Sequence, residues 1–126
     1  MPVLGILDGI VQTFELATQA LGTGNSNAPS ISLLGLAIAF PSESNDVGTG
    51  NASGFTDVFY SERGGAGVYT TQLVSRGVGG AAPNAASQNA SLSADGRWIA
   101  FLSYASNLIA GDTNGQPDVF VVCHQP

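Results

Sequence analysis

The sequence predicts an all-β chain built from two four-stranded antiparallel sheets, and three observations carry that prediction. First, the chain repeats itself at a fixed spacing, the step that carries Ser30 to Ser91. Ser30-Ile31-Ser32, Gly35, Ile38-Ala39-Phe40, Ser42, Gly50, Gly54 and Asp57-Val58-Phe59 return as Ser91-Leu92-Ser93, Gly96, Ile99-Ala100-Phe101, Ser103, Gly111, Gly115 and Asp118-Val119-Phe120. From Ser30 to Phe59, 12 of 30 positions are identical without a gap. A fixed period of this length marks a supersecondary unit that cannot bury its apolar face alone and stacks on a copy of itself. Second, 44% of the 126 residues are hydrophobic, enough for a core, and 17 are glycine; that mixture suits short strands and tight turns better than long helices. Third, Asp95-Gly96 sits between two apolar runs, a strong hairpin signal because both central residues accept positive φ.

The elements follow in order. Residues 10–16 alternate as a strand; the same apolar residues (Ile10, Phe14, Ala17, Leu21) also fit helical spacing over 7–20, and the repeat register favours the strand. A polar loop covers 20–27. The second copy is the clearer of the two. Its strand 90–93 leads through the turn 94–97 into strand 98–103, which is aromatic and β-branched enough to be buried in a sheet. A polar loop, 104–117, precedes strand 118–122. The first copy repeats this plan from Ser30 to Phe59, with Leu33-Leu34-Gly35-Leu36 in place of Ala94-Asp95-Gly96-Arg97. Between the copies, 67–75 alternates as an exposed or edge strand, followed by a Gly/Ala/Asn/Ser loop over 77–89. The chain therefore divides into units 1–66 and 67–126, each opening with an outer strand, so that the last unit lacks the strand that would follow it.

Charge and composition remove several functions. The net charge is −6, with no lysine and only Arg63, Arg76 and Arg97; such a chain cannot neutralise a run of phosphates, which argues against nucleic acid. The single cysteine, Cys123, excludes an intrachain disulfide. Met1 to Ile10 has no basic residue and contains Asp8, unlike a secretory signal. The most apolar run, Ile31 to Phe40, is too short to span a bilayer, so the chain reads as soluble and without a membrane partner. Asn51 and Asn89 head formal glycosylation triplets, which arise readily by chance in a chain this rich in Asn and Ser.

Ser91-Leu92-Ser93-Ala94-Asp95-Gly96-Arg97-Trp98-Ile99-Ala100-Phe101 resembles the repeat of TolB-like β-propellers, the WD40-like blades of many bacterial proteins. The continuation through Gly111-Asp112-Thr113-Asn114-Gly115 to Asp118-Val119-Phe120-Val121 is similar to the longer variant of that blade; the first copy matches less well. The resemblance implies four-stranded blades around a central channel, used mostly for interaction, in a periplasmic or extracellular setting. A closed propeller has about 4–8 blades, so two blades need completing. The expectation is a non-catalytic module that closes a ring with copies of itself, most simply a trimer of six blades, through a clasp between chain ends. The alternatives are a carbohydrate or small-ligand binder, calcium-assisted, and a fragment of a larger propeller-containing hydrolase or transport protein.

Few residues suggest chemistry. Asp112, Asn114 and Asp118, at i, i+2 and i+6, could wrap Ca²⁺ with backbone carbonyls completing the shell; the equivalent positions in the first copy are Asn51, Ser53 and Asp57. The competing reading is a turn shaped by Asp112 and Asn114, with Asp118 bracing the next strand. Leu33, Leu34 and Leu36 either expose an apolar hairpin tip to another surface or fold inward. Cys123 and His124 are adjacent, so on a strand they face opposite ways and do not form a nucleophile–base pair. Trp98, Phe101, Phe120, Phe40 and Phe59 read as core, with a ligand surface as the alternative for Trp98, and Arg97 points to solvent.

Overall fold

The computed structural model describes residues 3–7, 10–14, 24–44, 54–64 and 69–124. They form β1 (Val3–Leu7), β2 (Ile10–Phe14), β3 (Ser30–Ile31), β4 (Ala37–Ser42), β5 (Asp57–Arg63), β6 (Tyr69–Leu73), a 3₁₀ turn over Val78–Gly80, β7 (Ser87–Leu92), β8 (Trp98–Ser103) and β9 (Asp118–Cys123). The fold is all-β and every ladder is antiparallel. The sheets are β3-β4-β5-β6, β7-β8-β9 and a separate two-stranded ladder, β1-β2.

The expectation of two four-stranded sheets is thus corrected to one of four strands and one of three. The reason lies in the outer strands. β6 pairs with β5, from Phe59↔Leu73 to Arg63↔Tyr69, and completes the first sheet. β2 pairs with β1, from Val3↔Phe14 to Leu7↔Ile10, and joins neither larger sheet. Residues 10–14 are strand, as the repeat register favours, and β1 is an element that the repeat does not anticipate.

The two larger sheets share one bonding pattern, displaced by one repeat. β4 pairs β5 from Ala37↔Glu62 to Ser42↔Asp57, and β8 pairs β9 from Trp98↔Cys123 to Ser103↔Asp118. Ser26 Oγ donates to Ser42 Oγ at 2.9 Å, and Ser87 Oγ to Ser103 Oγ at 2.8 Å. The Ser44 amide reaches Ser42 Oγ at 3.1 Å, and the Ala105 amide reaches Ser103 Oγ at 3.0 Å. Ser42, Ser87 and Ser103 are buried, and their hydroxyls are satisfied by a neighbouring serine and nearby backbone, which is the condition for keeping polar groups inside.

Burial follows the two-residue period of a strand. Ala37, Ala39, Val58 and Tyr60 on one face of the first sheet pack against Ile99 and Phe101 of the second, with Leu92, Phe120 and Val122 at the margin. Phe40, Phe59 and Leu73 form a second cluster on the opposite face of the first sheet. Phe40 stacks on Phe59 at 6.0 Å and Phe101 on Phe120 at 5.8 Å. Each fully buried residue of this size contributes about 1.5–3 kcal/mol. Trp98 corrects the core expectation: it is 50% exposed, while Ile99 and Phe101 are 1% and 2%. Residues 98 and 101 have opposite parity along β8, so one face cannot bury both.

Polar contacts fix how the sheets meet. Ser87 N–H donates to the Thr56 carbonyl at 2.7 Å, and Leu92 N–H to Ser30 Oγ at 3.0 Å. Asn107 ties the β6–β7 connection to the loop after β8: its amide donates to the Ala82 carbonyl, its Oδ1 accepts from Asn84 N–H, and its own carbonyl accepts from Val78 N–H.

Candidate functional site

The loop after β8 carries the proposed cation ligands. Gly111 and Gly115 adopt positive φ there, 82° and 68°, which lets the chain fold back tightly. Asn114 Nδ2 donates to Asp118 Oδ1 at 3.0 Å, and Gln116 N–H donates to Asn114 Oδ1 at 2.9 Å. Asn114 and Asp118 are therefore brought together as a hydrogen-bonded turn leading into β9. Asp112 is different: its Oδ2 is buried and makes no hydrogen bond. It lines an open cleft of about 390 Å³ with Ile109, Thr113, Asn114, Asp118 and Phe120. Of the equivalent positions in the first copy, Asn51 and Ser53 lie outside the described residues, and Asp57 is fully buried, accepting from Ser75 Oγ at 3.5 Å.

The leucine tip is exposed. Leu33, Leu34 and Leu36 are 80%, 78% and 48% accessible. The turn itself keeps the pattern of its counterpart: Ser32 Oγ accepts from Ala37 N–H at 3.1 Å, as Ser93 Oγ does from Trp98 N–H at 3.0 Å. In the second turn Asp95 adds Oδ1 as acceptor for Ser93 Oγ at 2.6 Å and Arg97 N–H at 3.1 Å. The Ser93 hydroxyl, then the Arg97 amide, hold the Asp95 carboxyl below its usual range. Arg97 is exposed, as expected. The two tips touch, with Leu33 N–H donating to the Ala94 carbonyl at 2.8 Å.

A third cluster has no signature in the sequence. His124, just after β9, lies against Tyr60 with ring centroids 4.3 Å apart and the rings tilted by 41°. Its Nδ1 lies 3.0 Å from Gln72 Nε2 and its Nε2 lies 3.1 Å from Glu62 Oε2. An amide nitrogen only donates, so Nδ1 accepts and the ring proton sits on Nε2, facing the carboxylate. Tyr60 donates its hydroxyl to the Gly96 carbonyl at 3.1 Å, and burial, then the charge of Glu62, push its pKa up to about 12. The cluster clamps β5 and β6 to β9 and supplies no activated nucleophile. Its members come from both copies of the repeat, Tyr60 from the first and His124 from the end of the second, and no local motif signals them.

No protein-family model, curated protein or solved structure matches the chain. No helix among the described residues is long and apolar enough to cross a membrane.

Proposed function

We propose that the chain is a non-catalytic propeller module: two sheets of a ring that closes with further copies, most simply three chains for six sheets, and offers its loops as an interaction scaffold. The observation that supports this reading is the outer edge of β9. Its counterpart β5, with the same register to the preceding strand, carries β6 on that edge. β9 has no such partner among the described residues. An unpaired row of N–H and C=O groups is a template for another strand, and Ile10–Phe14 of a neighbouring copy is the segment assigned to it. In the single chain that segment is already paired with β1, so the clasp exchanges one ladder for another. The expected mass in solution is three times the 12.7 kDa of the chain. A single sharp species at 12.7 kDa across a wide concentration range would falsify the reading.

A second reading, a small-ligand module assisted by calcium, rests on Asp112, whose unpartnered buried oxygen lines the cleft after β8. It requires calcium to raise the thermal midpoint relative to chelator, and Asp112→Asn to abolish the rise. An unchanged midpoint in the native chain leaves the loop as a turn.

A further inference from the structure

The first sheet shows what covers one of its faces, and the second sheet presents the same face uncovered. Ala37, Ala39, Val58 and Tyr60 are 4%, 0%, 0% and 3% exposed because the second sheet lies on them with Ile99 and Phe101. Their counterparts one repeat further on are Trp98, Ala100, Val119 and Val121. Trp98, Val119 and Val121 are 50%, 72% and 61% exposed. Beside Val119 lies a largely apolar trough of about 240 Å³, lined also by Ala100, Leu102, Asn89 and Ser91. A contiguous apolar surface of this kind marks an interaction site.

The same template identifies the occupant. The face that covers the first sheet carries Ile99, Phe101 and Phe120, and the residues at the corresponding places in the first sheet are Ile38, Phe40 and Phe59, identical in type. Their aromatic pairs are stacked alike, with interplanar angles of 22° and 26°. We propose that Trp98, Val119 and Val121 receive the first sheet of a second copy, seated through Ile38, Phe40 and Phe59, with its leucine tip against Trp98; this rests on the self-assembly reading and names its contact surfaces.

The departures from the repeat support that pairing. Within the chain, Ala37 meets the second turn at Gly96, where an added Cβ would stand 3.1 Å from the Ala37 Cβ. Transposed by one repeat, Trp98 of one copy meets the turn at Gly35 of the next. At this place the small alanine has become tryptophan and the polar turn has become Leu33-Leu34-Gly35-Leu36. Both changes put apolar surface into water in the single chain, and both lose that exposure in the same contact. Phe40 and Phe59 are already buried in the single chain. Docking therefore exchanges partners for that face, and the gain comes from Trp98, Val119, Val121 and the leucines. The contact is heterologous, using different surfaces on the two copies, which is the geometry that closes rings.

The test uses Val119→Asp on the receiving face and Leu34→Asp on the tip, with Gln116→Asp on an exposed loop as control. All three positions are accessible, so thermal midpoints should stay within about 3 °C of the native chain. Mass and its concentration dependence are then measured. Each of the two interface variants should weaken assembly at least about thirtyfold, and the control should not. Mixed together, they should form a species of twice 12.7 kDa, because one copy keeps an intact receiving face and the other an intact tip. A native chain that stays monomeric overturns the self-assembly reading itself. An assembling native chain whose Val119→Asp variant assembles equally well overturns this surface alone, as does a mixture that stays monomeric.

Discussion

Phe101→Ala is expected to cost about 3–5 kcal/mol, the range for emptying a buried aromatic site. Phe101 is 2% exposed and lies where the two large sheets meet, among Ala39, Val58, Tyr60 and Ile99, with Phe120 stacked on it at 5.8 Å. Strands on both sides are tied by ladders and by inter-sheet hydrogen bonds, so the walls cannot easily close on the void. Domains of this size have about 5–15 kcal/mol in total, and the variant would lose a large part of that. Urea unfolding should show a lower midpoint at unchanged slope. Phe101→Leu, which keeps most of the volume, should cost less than half as much. A loss below about 1 kcal/mol for the alanine variant would mean that the sheets are not packed through this residue.

Gly96→Val is expected to cost about 2–5 kcal/mol, from two sources that add. Gly96 has φ +75°, a conformation that costs an L-residue about 1–2 kcal/mol. An added Cβ also stands 3.1 Å from the Ala37 Cβ and 3.5 Å from the Ser32 Cβ, so the turn is forced off the first sheet, with an overpacking cost of about 1–3 kcal/mol. The displacement strains the bond from the Tyr60 hydroxyl to the Gly96 carbonyl as well. Gly35 is the internal control: its φ is +71° but the nearest atom to an added Cβ is Ile31 Cδ1 at 3.8 Å. In the dilute, unassembled chain Gly35→Ala should therefore carry the conformational cost alone, about 1–2 kcal/mol, read as a smaller fall in thermal midpoint. Equal losses at the two glycines would show that the close approach at Gly96 contributes nothing.

The strands most legible in the sequence are those with internal corroboration. β4, β5, β8 and β9 each belong to a pair that recurs at one spacing, and alternation fixes which residues share a face. The outer strands are harder. Period-2 alternation marks a segment such as 67–75 as a strand but does not say which neighbour it pairs with. Trp98 reads as core by residue type, whereas its parity opposes that of Ile99 and Phe101 and sets it on the outer face. The Asp112 loop is legible as a turn through Gly111, Asn114 and Gly115, and the bond from Asn114 to Asp118 agrees with that. The clamp of Tyr60, Glu62, Gln72 and His124 is not legible, since it joins three strands whose contact exists only after the sheets have stacked.

The edge of β9 has a consequence for how the chain fails. Asp118-Val119-Phe120-Val121-Val122-Cys123 contains no lysine, proline or glycine after its leading aspartate, and no bulge interrupts its ladder to β8. These are the features by which sheet proteins ordinarily blunt an edge. A short run of high β-propensity and low charge is also the pattern that stacks into cross-β fibrils. Chains held at high concentration with this edge free face open-ended, non-native aggregation, and a strand seated on β9 protects the fold as well as extending it.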